Sequence, residues 1–556
     1  MSLGSRVLAR LARLPPALTH AVAIQRDLRV PMPDGVALLA DRYAPRRAGD
    51  RLPIVLIRTP YGRASGGMLG RLYAERGYQA VIQSTRGTFG SGGTFDALRH
   101  EAADGRATLD WLAARPWFGG RVAMAGPSYV GFVQWAVATD APDYLRALAP
   151  QITAAQFRGL TYPGESFDLD TALSWIYLLH YQERSFWRAQ RASLRERKAL
   201  APAFAQLPLT KTDRLATGQT VKFYQDWLAH NTPGDPFWEE IDYSRRMDAV
   251  AAPVTLTAGW FDIFLPDQLA DYAALRRAGK TPYLTIGPWI HSSLGGLATG
   301  LRESLAWFDA HLRDDASRLR ARPVRIFVMG EQRWRDLPDW PPPATLTRWH
   351  LRPGGMLALA PPDDAAPDQY TYDPADPTPA VGGSVLGREA GPRDNRKLEA
   401  RADVLTYTSA PLTSELELIG PVTAELYVRS SLEHTDFCAR LCMVRPTGKS
   451  INLCDGLVRL EPGRNAPDVD GTRRVRIDLW PTAVHVRRGW RLRVQVASGA
   501  HPRFSRNPGS GEPLGTATTF KVAEQTVYHD AAHPSAIVLP VHEPALGTLA
   551  PGSGME

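Results

Sequence analysis

Between residues 24 and 160, short and almost continuously apolar runs alternate with longer stretches whose apolar positions recur every three or four residues. IVLIRTPY (54–61), QAVIQST (79–85) and RVAMAG (121–126) have the length of buried strands. MLGRLYAERG (68–77), HEAADGRATLDWLAAR (100–115) and SYVGFVQWAVAT (128–139) carry the helical period. Strands alternating with such helices predict a parallel sheet with helices on its faces. The pattern breaks near 165. From there to 248, stretches such as SLRERKALAPAFAQL and TVKFYQDWLAHN read as helices, without strand alternation. PVTLTAGW (253–260) and PYLTIGPW (282–289) then restore the strand signature. The order predicts an α/β domain in two pieces, 24–164 and 249–325, interrupted by a helical cap at 165–248 that sits over the sheet.

After RPVRIFVMG (322–330) the pattern changes again. Residues 341–397 are rich in Pro, Gly and Asp and read as a long excursion with short strands. VLTYTSA, VTAELYVRSS, FCARLCMV, RRVRIDLW and GWRLRVQVAS are β-branched and aromatic runs separated by turn residues. They predict an all-β jelly roll over 326–545. The tail GTLAPGSGME (547–556) reads as disordered.

Composition narrows the function classes. The 44% hydrophobic and 22% charged residues in 556 are those of an ordinary globular protein, excluding a fibre or a disordered chain. The net charge of +8 is spread along every segment as arginine, with no basic run, so no nucleic-acid track is expected. Three cysteines (Cys438, Cys442, Cys454) cannot build a disulfide framework and lack the neighbours of a zinc site. No apolar run approaches 18 residues, so no membrane span is expected. The amphipathic N-terminus, broken at Pro15 and Pro16, lacks the features of a signal peptide, which leads to the expectation of a cytoplasmic protein. Neither a cofactor nor a metal is expected: there is no HExxH, and the AGKT at 278–281 lacks the glycine of a phosphate-binding loop at position 274.

The candidate chemistry begins at Gly126-Pro127-Ser128-Tyr129-Val130-Gly131, where a buried strand gives way to a helix. A nucleophile elbow needs this setting, because small flanking residues permit a turn sharp enough to lift the serine Oγ clear of the sheet. The Gly-x-Ser-x-x-Gly spacing is one residue longer than the common form, and a Gly/Ser turn before a helix also serves as an ordinary cap. Asp262 and His291 follow the next strands, in the Ser–Asp–His order of α/β-hydrolases and at the same strand ends. His291 would take the Ser128 proton, Asp262 would fix the imidazole, and the backbone N–H of Tyr129 would receive the oxyanion.

RTPYGR (58–63), STRGTFGSGG (84–93), GPSYVG (126–131), GWFDIF (259–264) and GPWIHSS (287–293) resemble, in order, the motifs of the CocE/NonD hydrolases. LTYTSAPL (405–412), TDFCARL (435–441) and DGLVR (455–459) are similar to that family's jelly-roll domain. The resemblance runs from about 25 to 540 and implies an α/β-hydrolase domain, a helical cap and a C-terminal jelly roll. It also implies that the Tyr61 hydroxyl is the second oxyanion donor. Three positions depart from the family pattern: Ser84 stands where Asp is usual, Pro127 precedes the serine, and Phe261 replaces Tyr.

The reading is a serine hydrolase of small-molecule carboxylic esters or acyl amides, with Phe264 and Trp175 lining the acyl pocket. Glu165, Asp168 and Asp170, in YPGESFDLD, are the carboxylates available to an X-prolyl dipeptidyl-peptidase, the alternative in which a substrate amine is gripped. A non-catalytic jelly-roll binding protein is the third reading. Homo-oligomerisation stays open.

Overall fold

The computed structural model describes residues 3–46, 51–184 and 186–542. A ten-stranded sheet forms the first domain, in the order Val22–Pro31, Ala37–Pro45, Gln79–Ser84, Ile54–Thr59, Val122–Pro127, Leu145–Gln151, Thr255–Phe261, Tyr283–Ile290, Val324–Val328 and Arg333–Leu337. From Gln79–Ser84 to Val324–Val328 neighbouring strands pair in parallel, while the first two strands and the last are antiparallel additions. Ile54–Thr59, Gln79–Ser84 and Thr255–Phe261 are buried at every residue, as strands covered on both faces must be, hence their nearly unbroken apolar runs. The crossovers include Arg63–Ala74, Glu101–Ala113 and the wholly buried helix Tyr129–Ala138.

Between Leu145–Gln151 and Thr255–Phe261 the chain makes the helical cap, built on Leu169–Gln182, Phe186–Ala205, Thr212–Thr217 and Lys222–Ala229. The sheet continues past the expected end of its domain. Residue 325 falls inside Val324–Val328, and Arg333–Leu337 closes a hairpin on it around Gly330. Gly330 (φ 82°) lies against the C-terminal domain so closely that a Cβ would stand 2.1 Å from the His485 carbonyl.

The C-terminal domain is all-β. Leu416–Ser430 pairs with Arg473–Val486, Ala523–Tyr528 and Ala536–Val541, and Thr435–Val444 lies between Ser450–Leu460 and Arg491–Ala497. The excursion after 341 contributes Thr345–Arg352, which pairs with Ala536–Val541. The domain is joined to the cap by buried Arg459, which is paired with Asp436 at 2.9 Å and donates to Ser166 Oγ at 3.1 Å. Cys438, Cys442 and Cys454 are free thiols in this domain, and burial pushes the first two up to about 12. Among the described residues no helix is long and apolar enough to cross a membrane. The tail 547–556 lies outside the described residues.

Candidate active site

Ser128 occupies the turn between Val122–Pro127 and Tyr129–Ala138 with φ 58° and ψ −129°, a conformation that side-chain-bearing residues adopt only where the surroundings enforce it. The glycines explain how. Gly126 has φ 145°, and a Cβ there would stand 2.2 Å from Val130 Cγ1. A Cβ on Gly131 would stand 2.3 Å from Thr153 Cγ2. The longer spacing thus brings the first helical turn against the residues after Leu145–Gln151. Ser128 N–H donates to the Gln151 carbonyl at 2.9 Å, and the Ser128 carbonyl accepts from Gly131 and Phe132. Tyr129 N–H, in the first turn, has no intrahelical acceptor and stands next to the serine.

Asp262 and His291 follow neighbouring parallel strands, paired as far as Phe261 and Ile290. His291 Nδ1 lies 2.8 Å from Asp262 Oδ2, and the other carboxylate oxygen accepts the Phe264 N–H at 2.8 Å. Asp262 is fully buried, so both oxygens are held by these contacts and not by water. A carboxylate at Nδ1 selects the tautomer with Nδ1 protonated and leaves Nε2 as the base.

Ser128 and His291 face one cavity. Its walls are mostly apolar, including Phe157, Leu160, Trp227 and Leu386, the last from the C-terminal domain. Trp175 and Phe264 both line it. Phe264 stands with its ring centroid 5.7 Å from that of His291. The Tyr61 hydroxyl enters the same cavity and accepts a hydrogen bond from Trp175 Nε1 at 3.1 Å. Burial pushes the Tyr61 phenol above its ordinary pKa, while the Trp175 and Ser128 hydrogen bonds pull it partly back. It therefore stays protonated at neutral pH.

The Tyr129 side chain points away from the reaction. Its hydroxyl donates to Glu101 Oε1 at 2.8 Å and accepts from Leu98 N–H at 2.9 Å. Buried Arg58 reaches Glu101 Oε2 at 2.9 Å, which completes a sealed anchor behind the elbow. The sequence reading missed Glu101 and the role of Arg58; RTPYGR contains Arg58, but no local pattern links it to a glutamate 43 residues on. Of the three cap carboxylates, Glu165 pairs with Arg158 at 2.6 Å and Arg464 at 3.3 Å, and Asp170 pairs with Arg197. Only Asp168 lines the cavity. It caps Leu169–Gln182 through the Thr171 N–H at 2.9 Å, and burial raises its carboxyl to about 7.

The X-Pro dipeptidyl-peptidase (S15 family) model matches residues 34–293, and the X-Pro dipeptidyl-peptidase C-terminal non-catalytic domain model matches 319–538. Cocaine esterase from Rhodococcus sp. (strain MB1 Bresler) is 33% identical over 93% of this chain and 98% of its own. The chain belongs to the CocE/NonD hydrolase family. It is a serine hydrolase of the α/β-hydrolase fold carrying a C-terminal β-rich domain. Two solved structures share that fold. An aminopeptidase from a marine sediment Thaumarchaeota archaeon superposes with TM-score 0.81 at 23% identity, over 95% of this chain and 98% of the other. An α-amino acid ester hydrolase superposes with TM-score 0.79 at 24% identity, over the same shares. Of the three positions that depart from the family pattern, Ser84 is buried and its Oγ accepts from Arg63 Nη1 at 3.1 Å. Phe261 is buried beside Asp262, and Pro127 ends its strand at the elbow.

Proposed function

We propose that Ser128 is the nucleophile, His291 its general base and Asp262 the group that orients His291, with Tyr129 N–H and Tyr61 O–H as the oxyanion donors. His291 Nε2 takes the serine proton as Oγ attacks the acyl carbonyl. It then returns that proton to the leaving group, and water cleaves the acyl-enzyme by the same route. The observation that carries this reading is the Asp262–His291 pair at 2.8 Å, facing the elbow serine across a single apolar cavity.

We further propose that the substrate is a small carboxylic ester with an apolar acyl group. The cavity walls favour such a group, and two of the three cap carboxylates are already neutralised by arginines, which disfavours a site built to hold an ammonium. Phe264 is assigned to the acyl wall. The proposed domain limits are 24–164 and 249–337 for the hydrolase, the strand Arg333–Leu337 carrying its sheet past the expected 325, with 165–248 for the cap and the described residues from Thr345 on for the jelly roll. A cytoplasmic location is proposed from the three unpaired, buried thiols.

The test is a panel of p-nitrophenyl esters, aminoacyl esters and X-Pro anilides run on wild type and Ser128→Ala. Turnover of apolar acyl esters should exceed that of the other two classes, and Ser128→Ala should abolish it with an unchanged melting temperature. Residual activity above about one per cent in a folded Ser128→Ala protein contradicts the nucleophile assignment. A preference for X-Pro anilides would make the dipeptidyl-peptidase reading correct.

A further inference from the structure

Trp175 belongs to the cap helix Leu169–Gln182, whereas Tyr61 follows the sheet strand Ile54–Thr59. The two side chains meet in the cavity through the bond from Trp175 Nε1 to the Tyr61 oxygen, 3.1 Å long. Its direction is fixed by chemistry, since an indole nitrogen donates and never accepts. The Trp175 bond therefore occupies a lone pair of the Tyr61 oxygen, and the proton of the hydroxyl is left for an acceptor that arrives with the substrate.

The indole itself is clamped. It stacks on Trp227 of the cap (5.9 Å between centroids, 5° between planes) and on Tyr129 of the elbow helix (5.9 Å, 25°). The Tyr129 ring is in turn held by Glu101 and the Leu98 N–H. A hydroxyl that accepts a hydrogen bond becomes a stronger donor, and a clamped partner keeps it pointed in one direction.

We propose that Trp175 is a positioning residue for the oxyanion hole: its indole N–H aims and polarises the Tyr61 hydroxyl, so that the cap completes a site otherwise built on the sheet. This rests on Tyr61 being the second oxyanion donor, as proposed above. A residue that only lines the acyl pocket would act on substrate binding and would do so whether or not Tyr61 had its hydroxyl.

The experiment is a double-mutant cycle of wild type, Tyr61→Phe, Trp175→Phe and the double variant, with kcat and KM measured separately on one ester. Trp175→Phe should lower kcat about threefold to tenfold, the range of a single neutral hydrogen bond, with KM within twofold. In the Tyr61→Phe background it should lower kcat no further. An equal loss in both backgrounds, or a change confined to KM, overturns the proposal and leaves Trp175 as pocket wall. If Tyr61→Phe alone keeps kcat within threefold of wild type, the oxyanion role of Tyr61 is itself wrong, and the proposal falls with it. Should Trp175→Phe fold poorly, 3-benzothienylalanine incorporated at position 175 keeps the bicyclic shape and removes only the N–H. It should give the same drop in kcat, and full wild-type kcat would overturn the proposal.

Discussion

At the scale of single residues, the two oxygens of Asp262 serve different ends. Oδ2 meets His291 Nδ1, and Oδ1 takes the Phe264 N–H, which fixes the carboxylate against the start of the next helix. Other acids nearby in sequence are committed elsewhere. Asp235 caps Pro236–Glu239 and pairs with His230 at 3.0 Å, and Asp267 accepts from Gln156 at 2.6 Å. Asp262→Asn should keep the packing but offer His291 an amide, which favours the tautomer with Nδ1 unprotonated. Steady-state kinetics should show kcat reduced by up to roughly 10⁴ with little change in melting temperature. An Asp262→Asn enzyme within tenfold of wild type contradicts the orienting role.

The elements impose tighter demands than the side chains reveal. Helix Tyr129–Ala138 can aim its first N–H at the proposed reacting centre only because Gly131 lets it lie on Thr153, which is fully buried. Gly131→Ala would drive a Cβ to 2.3 Å from Thr153 Cγ2, an overpacking conflict that typically costs about 1–3 kcal/mol. Among the described residues the Thr153 hydroxyl has no hydrogen-bond partner, so Thr153→Ala removes the closest contact at small cost, although the Thr153 Cβ still stands 2.7 Å from the new methyl. Urea denaturation should therefore show Gly131→Ala destabilised and the Gly131→Ala/Thr153→Ala pair partly restored. If the pair is no more stable than Gly131→Ala alone, the close approach is not what the second glycine serves. Behind the same helix, the Arg58–Glu101–Tyr129 chain holds the elbow from within the core, where a half-broken ion pair is costly.

Over the whole molecule, what the sequence revealed follows from how each part is buried. Parallel strands covered on both faces are apolar throughout and therefore legible. LRALAPQ (145–151) is a strand of the same sheet, but its exposed Arg146 and its Pro150 hide it. The antiparallel hairpin Val22–Pro31/Ala37–Pro45 has one strand largely open to solvent and gave no clear run. Ser128, Asp262 and His291 were readable as candidates because each follows a strand in a fixed order, and the structure brings Ser128 and His291 to one cavity, with Asp262 bonded to His291. The Trp175–Tyr61 bond joins residues 114 apart from two different layers, and Leu386 reaches the cavity from the C-terminal domain, so neither has any local signal. All these layers meet around the hydroxyl proposed as the nucleophile. The most direct test is to treat the full-length protein with a fluorophosphonate, digest it, and locate the adduct by mass spectrometry. The account predicts a single adduct on Ser128 in native protein, absent after heat denaturation and from Ser128→Ala. Native, folded protein that stays unlabelled, or carries its adduct on another serine, would contradict it.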